Sequence, residues 1–124
     1  VNLEGGVYRI YGDKGKQVRD NIHARDVVRF IAAFAANPRC GEVYNLGGGR
    51  QNACSILEAF DITRSITGKT MAYEYIEKSR QGDHICYISN LNKMRAHYPQ
   101  WDITVPLEAI FEEIAAGWRE RDVQ

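Results

Sequence analysis

The chain predicts an α/β unit with short strands, on three observations. Val7 to Tyr11 alternates apolar and polar residues and is rich in β-formers, which is a strand pattern. From about Ala24 to Ala36 the apolar residues Val27, Val28, Ile31, Phe34 and Ala35 recur at helical spacing. The two patterns then alternate in the order β-α-β-α-β-α-α, which gives about four helices and a small mixed sheet.

Each element has its own punctuation. Gly12 to Gly15 is turn-like, and Asn37-Pro38 followed by Gly41 stops the first helix. Glu42 to Leu46 reads as a short buried strand that ends in Gly47-Gly48-Gly49. Ser55-Ile-Leu-Glu58 is a capping box, in which serine and glutamate satisfy each other's free N–H groups at a helix start. That helix carries Ile56, Phe60, Thr63 and Ile66 on one face and stops at Gly68. Ala72 to Lys78 alternates again, Ser79 to His84 is a loop, and Ile85 to Ile88 is extended. Leu91, Met94 and Tyr98 mark a short helix ended by Pro99. Pro106 opens the last helix, where Leu107, Ile110, Phe111, Ile114 and Trp118 are periodic. Three short strands make a small sheet and leave apolar surface for structure outside these elements.

Composition excludes several classes. The 124 residues are the size of one ordinary domain or a piece of one, and 44% are hydrophobic, enough for a core. Sixteen basic and sixteen acidic residues balance, so no field recruits nucleic acid or an anionic membrane. Anion recognition therefore has to be local. Cys40, Cys54 and Cys86 are odd in number and widely spaced, which reads as reduced thiols in a cytoplasmic protein, Cys54 and Cys86 as small core residues. No apolar run approaches the roughly 20 residues that span a bilayer. No signal peptide is visible, and a start at Val1 without methionine suggests a processed product or an excised piece.

Most motif readings fail on spacing. Counted from Gly47, a dinucleotide loop needs glycine at 47, 49 and 52, but position 52 is Asn52. A tight loop where backbone passes close to another group fits better. Gly68-Lys69-Thr70 lacks the upstream glycine and following helix of a phosphate loop. His23, His84 and His97 show no metal-ligand spacing; they read as a helix-start residue, a loop residue and a surface helix end. The Tyr-x-x-x-Lys pair of nicotinamide enzymes is missing, since Tyr75 is followed by Lys78, one position too soon. No catalytic, cofactor-binding or metal-binding set assembles.

Two charged segments stand apart. Tyr11 to Asp26 runs from a strand end through a turn to a helix, and its Arg19 can meet phosphate through two parallel hydrogen bonds. Asp20, Asp26 or a carbonyl could satisfy the same guanidinium. In Arg80-Gln-Gly-Asp83, Gly82 permits a sharp turn, Arg80 can pair a phosphate oxygen and Asp83 can accept from sugar hydroxyls. A surface turn with its arginine in water is the alternative.

With these residues in view, the chain resembles the C-terminal third of an extended short-chain dehydrogenase/reductase, the family of NAD-dependent nucleotide-sugar epimerases and dehydratases. The matching blocks are Tyr11-Gly-Asp…Gln17-Val-Arg-Asp-Asn-Ile-His23…Asp26, Gly41-Glu-Val-Tyr-Asn-Leu-Gly-Gly48, Ser55…Glu58, Arg80-Gln-Gly-Asp83 and Trp101…Pro106-Leu-Glu…Trp118. They keep the family's order and spacing over nearly the whole chain. Arg-Asp-Asn-Ile-His, Gly-Gly-Gly-Arg and Gly-Asp-His-Ile-Cys-Tyr-Ile-Ser are similar to the CDP-paratose (CDP-tyvelose) 2-epimerase branch.

The resemblance implies that residues 1–124 are one substrate-binding portion of a Rossmann-type enzyme, with the N-terminal NAD-binding Rossmann domain absent from the chain. It implies Arg19 and Arg80 as ligands of a substrate diphosphate and Asp83 as a group near the nucleotide ribose. Asn21 stands where many relatives have tyrosine, which puts that ring's contacts in doubt. The Glu42–Leu46 strand resembles the one that joins the Rossmann sheet. NAD, and the tyrosine and lysine that work with it, belong to the parent protein; no cofactor is expected on this chain alone, and no catalysis. Epimerase and dehydratase both remain open. Two alternatives stand beside this reading: a free-standing nucleotide-diphosphate module, and an association module that forms a homo-oligomer or strand-swapped dimer through Val43, Tyr44 and Leu46.

Overall fold

The computed structural model describes residues 1–78 and 82–121. Five short strands and four α-helices lie among them: β1 (Val7–Tyr11), β2 (Val18–Asp20), α1 (Ala24–Ala36), β3 (Ala53–Ser55), α2 (Ile56–Thr67), β4 (Ala72–Ile76), β5 (Cys86–Tyr87), α3 (Asn92–His97) and α4 (Leu107–Arg121). The strands form two small sheets, one of β1 beside β4 and one in the order β3-β2-β5. β1 and β4 run parallel with Tyr8 opposite Tyr73, and β2 and β5 run parallel with Arg19 opposite Tyr87. The α/β class with four helices and short strands is the one expected.

The chain packs as two compact units. The first comprises Val1–Arg19, Cys54–Tyr87 and the chain from Glu108 on. Its buried centre is Ile10, and an aromatic chain of Tyr8, Phe60, Tyr73 and Tyr75 joins the β1–β4 sheet to α2 through successive ring contacts. The Ser55–Glu58 capping box is formed, with Ser55 Oγ accepting from Glu58 N and a Glu58 carboxylate oxygen accepting from Ser55 N at 2.7 Å. Gly68 closes α2 in the left-handed region at φ 74°.

The second unit comprises Asp20–Ala53 and Ile88–Leu107. Phe30, Leu91, Met94, Tyr98 and Trp101 form its core, with Tyr44 and Leu46 packed against it. Phe30 meets Tyr44, Tyr98 and Trp101 edge to face at about 5.5 Å, so one ring of α1 organises the cluster. Asp26 lies at 0% exposure beside it.

Several expectations need correction. Glu42–Leu46 is in no ladder, and Val43 is 79% exposed. The segment is held instead by α3: Lys93 Nζ pairs with Glu42 at 2.6 Å, donates to the Val43 carbonyl at 3.1 Å and lies over the Tyr44 ring. No described strand stands beside it to complete a ladder. β2 and β3 have no sequence signature because three residues are too few to show a period. Cys54 is buried as expected, but Cys86 is exposed because β5 is a two-residue edge strand. His97 is half-buried and shares a 2.8 Å hydrogen bond with Tyr44, unlike a free surface helix end. Ile114 and Trp118 keep the period of α4 yet stay half-exposed.

Candidate functional site

Two residues, one from each charged segment, meet on the first unit: Arg19 and Asp83. Gly12 to Gly15 makes the turn after β1 with four consecutive positive φ angles, 66° at Gly12, 43° at Asp13, 50° at Lys14 and 75° at Gly15. Asp13 and Lys14 adopt a region that side-chain-bearing residues seldom use, which needs support from the surroundings. Gln17 supplies it: buried, it donates from Nε2 to the carbonyls of Tyr11 at 2.7 Å and Gly12 at 3.2 Å. That closes the turn and delivers the chain into β2.

On β2, Val18 N donates to Ile85 O at 2.9 Å, which brings the Asp83–Ile85 loop alongside. Arg19 Nη2 then reaches Asp83 Oδ1 at 2.5 Å, and Arg19 Nη1 donates to the Val18 carbonyl at 2.7 Å. The side chains are 38% and 34% exposed, so the pair is open to a ligand from solvent. Asp83 Oδ1 also accepts from His84 N. Two of the three expected binding residues thus stand together although 64 positions apart. Of the partners weighed from sequence a carbonyl, that of Val18, takes one bond, and Asp83, which was not weighed as a partner, takes an ion pair. Arg80, the third, lies outside the described residues.

The second unit contains two aspartates, Asp20 and Asp26, weighed from sequence only as partners of Arg19, which tie loops together. Asp20 Oδ2 accepts from Gly49 N at 2.9 Å and Ser89 N at 3.0 Å, tying two loops to the end of β2. Asp26 accepts from Thr104 N, Thr104 Oγ1, Val105 N and Arg29 Nη1. Burial alone would push its carboxyl up, but these donors together hold it below its ordinary value. Both aspartates fix geometry.

The glycine loop does not fit a dinucleotide. A Cβ on Gly47 would overlap Ser89 Oγ and Asp20 Oδ2, and one on Gly48 would overlap the Asn21 carbonyl. At these positions a side chain would meet the chain itself, so Gly47 and Gly48 serve close packing of the protein's own backbone. Among the described residues no group of three or more His, Cys, Asp or Glu side chains is placed to hold a metal. No helix there is long and apolar enough to cross a membrane.

The fold is the one seen in part of the Rossmann-type NAD-dependent epimerases and dehydratases. Over residues 2–47 the chain matches the model of the NAD dependent epimerase/dehydratase family, and its similarities are those of a fragment of an extended short-chain dehydrogenase/reductase. dTDP-glucose 4,6-dehydratase 1 of Escherichia coli (strain K12) is 34% identical over 122 residues, 97% of this chain and 29% of that protein. CDP-paratose 2-epimerase of Salmonella typhi is 26% identical over 98 residues, 76% of this chain and 29% of that protein. The solved UDP-glucuronic acid 4-epimerase of Bacillus cereus, in complex with UDP-glucuronic acid and NAD, superposes with a TM-score of 0.77 at 29% identity, over 89% of this chain and 34% of that one. The chain therefore spans about a third of the length of the relatives it matches.

Proposed function

We propose that this chain is the nucleotide-sugar-binding, C-terminal portion of an NAD-dependent epimerase/dehydratase and is not catalytic by itself. Arg19 and Asp83, brought together half-exposed at the end of β2, carry the proposal. Arg19 takes a diphosphate oxygen pair through its planar fork, Asp83 accepts from the ribose, and Arg80 supplies the second cation. NAD supplies the hydride acceptor in the whole enzyme, held on this reading by residues outside this chain, a reading supported by the Asn52 that breaks the glycine spacing. A missing N-terminal Rossmann domain is the implied partner, and the cytoplasm the implied compartment.

For the base, the proposal is cytidine, as in a CDP-sugar 2-epimerase. Its supports are the Arg19–His23, Gly47–Arg50 and Gly82–Ser89 blocks and the Salmonella typhi relative. The Escherichia coli dehydratase favours dTDP instead, so the two are the competing titrants. In the complete protein, Arg80→Ala is expected to weaken nucleotide-sugar binding by about 1.5–3 kcal/mol, the worth of a charge-assisted bond. Unchanged affinity by calorimetry would remove Arg80 from the site. Titrating CDP, UDP and dTDP against the isolated chain separates this reading from a free-standing diphosphate-binding module, which alone predicts full affinity without a partner domain.

A further inference from the structure

Asp83 does not merely neighbour Arg19; its carboxylate stands where an anionic ligand of Arg19 would stand. A guanidinium has five N–H donors in one plane. Here one bond from Nη1 goes to Val18 O, and the Nη2 end is engaged by Asp83. A diphosphate on the same fork would lie within a few ångströms of that carboxylate, and like charges at that distance repel. Gly82, just before Asp83, sits at φ 78°, a backbone state that glycine adopts freely, and among the described residues no atom lies within 4 Å of the place of a Cβ, so the turn has the freedom to re-aim the aspartate.

We propose that the Arg19–Asp83 pair is a latch: Asp83 substitutes for the ligand's phosphate on Arg19 and is displaced when a diphosphate arrives. This rests on the reading of Arg19 as a diphosphate ligand and adds how the site is kept in its absence. The displaced Asp83 turns to the ribose hydroxyls, so one aspartate guards the cation and then reads the sugar. A carboxylate carries one charge, and a diphosphate carries more; the latch therefore yields to diphosphates and holds against weak monoanions.

Inorganic pyrophosphate tests the latch because it lacks a ribose. In calorimetric titrations at fixed ionic strength, Asp83→Asn is expected to bind pyrophosphate about three- to fivefold more tightly than the unaltered chain, the release of one partly exposed ion pair. The gain should vanish in the Arg19→Gln/Asp83→Asn double variant, and with CDP it should shrink, because the ribose acceptor is lost. Equal or weaker pyrophosphate binding by Asp83→Asn, including no binding at all, overturns the latch. So does a gain that survives without Arg19, which would reflect net charge alone. If the gain appears and depends on Arg19, yet neither CDP nor UDP competes with pyrophosphate, the latch stands and the nucleotide-sugar reading falls.

Discussion

Asp26 carries no charge-bearing ligand in this proposal, yet it is the residue whose removal should be felt most. It is fully buried and accepts from two backbone N–H groups, one hydroxyl and one guanidinium. Trp101 Nε1 donates to its backbone carbonyl as well. Asp26→Asn replaces an acceptor-only group by one that must point an N–H₂ at donors, and a loss of about 2 kcal/mol at neutral pH is expected. The pH dependence follows from the lowered carboxyl. Its stabilisation is complete above the ordinary carboxylate value of about 3.9 and is lost as pH falls through the lower folded value. Urea midpoints of the two proteins should therefore converge as pH drops below that range; a gap independent of pH would refute the ionised role. At this scale the sequence showed Arg19 and Asp83 by chemistry and resemblance. It could not show that they pair, because no local pattern links positions 64 apart.

Among the elements, legibility followed length and local chemistry. The bounds of β1 and α1 were readable from alternation, helical period and the Asn37-Pro38 stop, and the capping box named the first turn of α2 outright. β2 and β3 were not, since three residues become a sheet only through a partner far along the chain, whereas β5 falls within the Ile85–Ile88 segment read as extended. Glu42–Leu46 misled for the opposite reason: its composition is that of a strand, but it is held by Lys93 and His97 rather than by a ladder. The capping box offers a clean test. Ser55→Ala removes the acceptor for Glu58 N and should lower stability by about 1 kcal/mol. Faster amide exchange confined to the first turn of α2 would mark the cause, and unchanged exchange there would argue against it.

For the whole molecule, the balance of charge and exposed apolar surface decides behaviour. Net charge is zero, so no long-range repulsion keeps copies apart. Val28 and Ile31 on α1 are 63% and 57% exposed, and Val43 on the same unit is the most exposed large hydrophobic residue in the described chain. The Glu42–Leu46 segment moreover has the composition of a strand and no ladder partner among the described residues, which leaves it open to pairing with another copy. Concentration-dependent self-association in sedimentation velocity is therefore expected of the isolated chain. Two substitutions separate its routes. Val43→Pro removes an N–H donor and should abolish association if copies pair strand to strand. Ile31→Lys should abolish it if α1 supplies the contact. A single monomeric species across the whole concentration range would mean that neither face drives association, and that Val43 stays exposed for a partner other than a second copy of this chain.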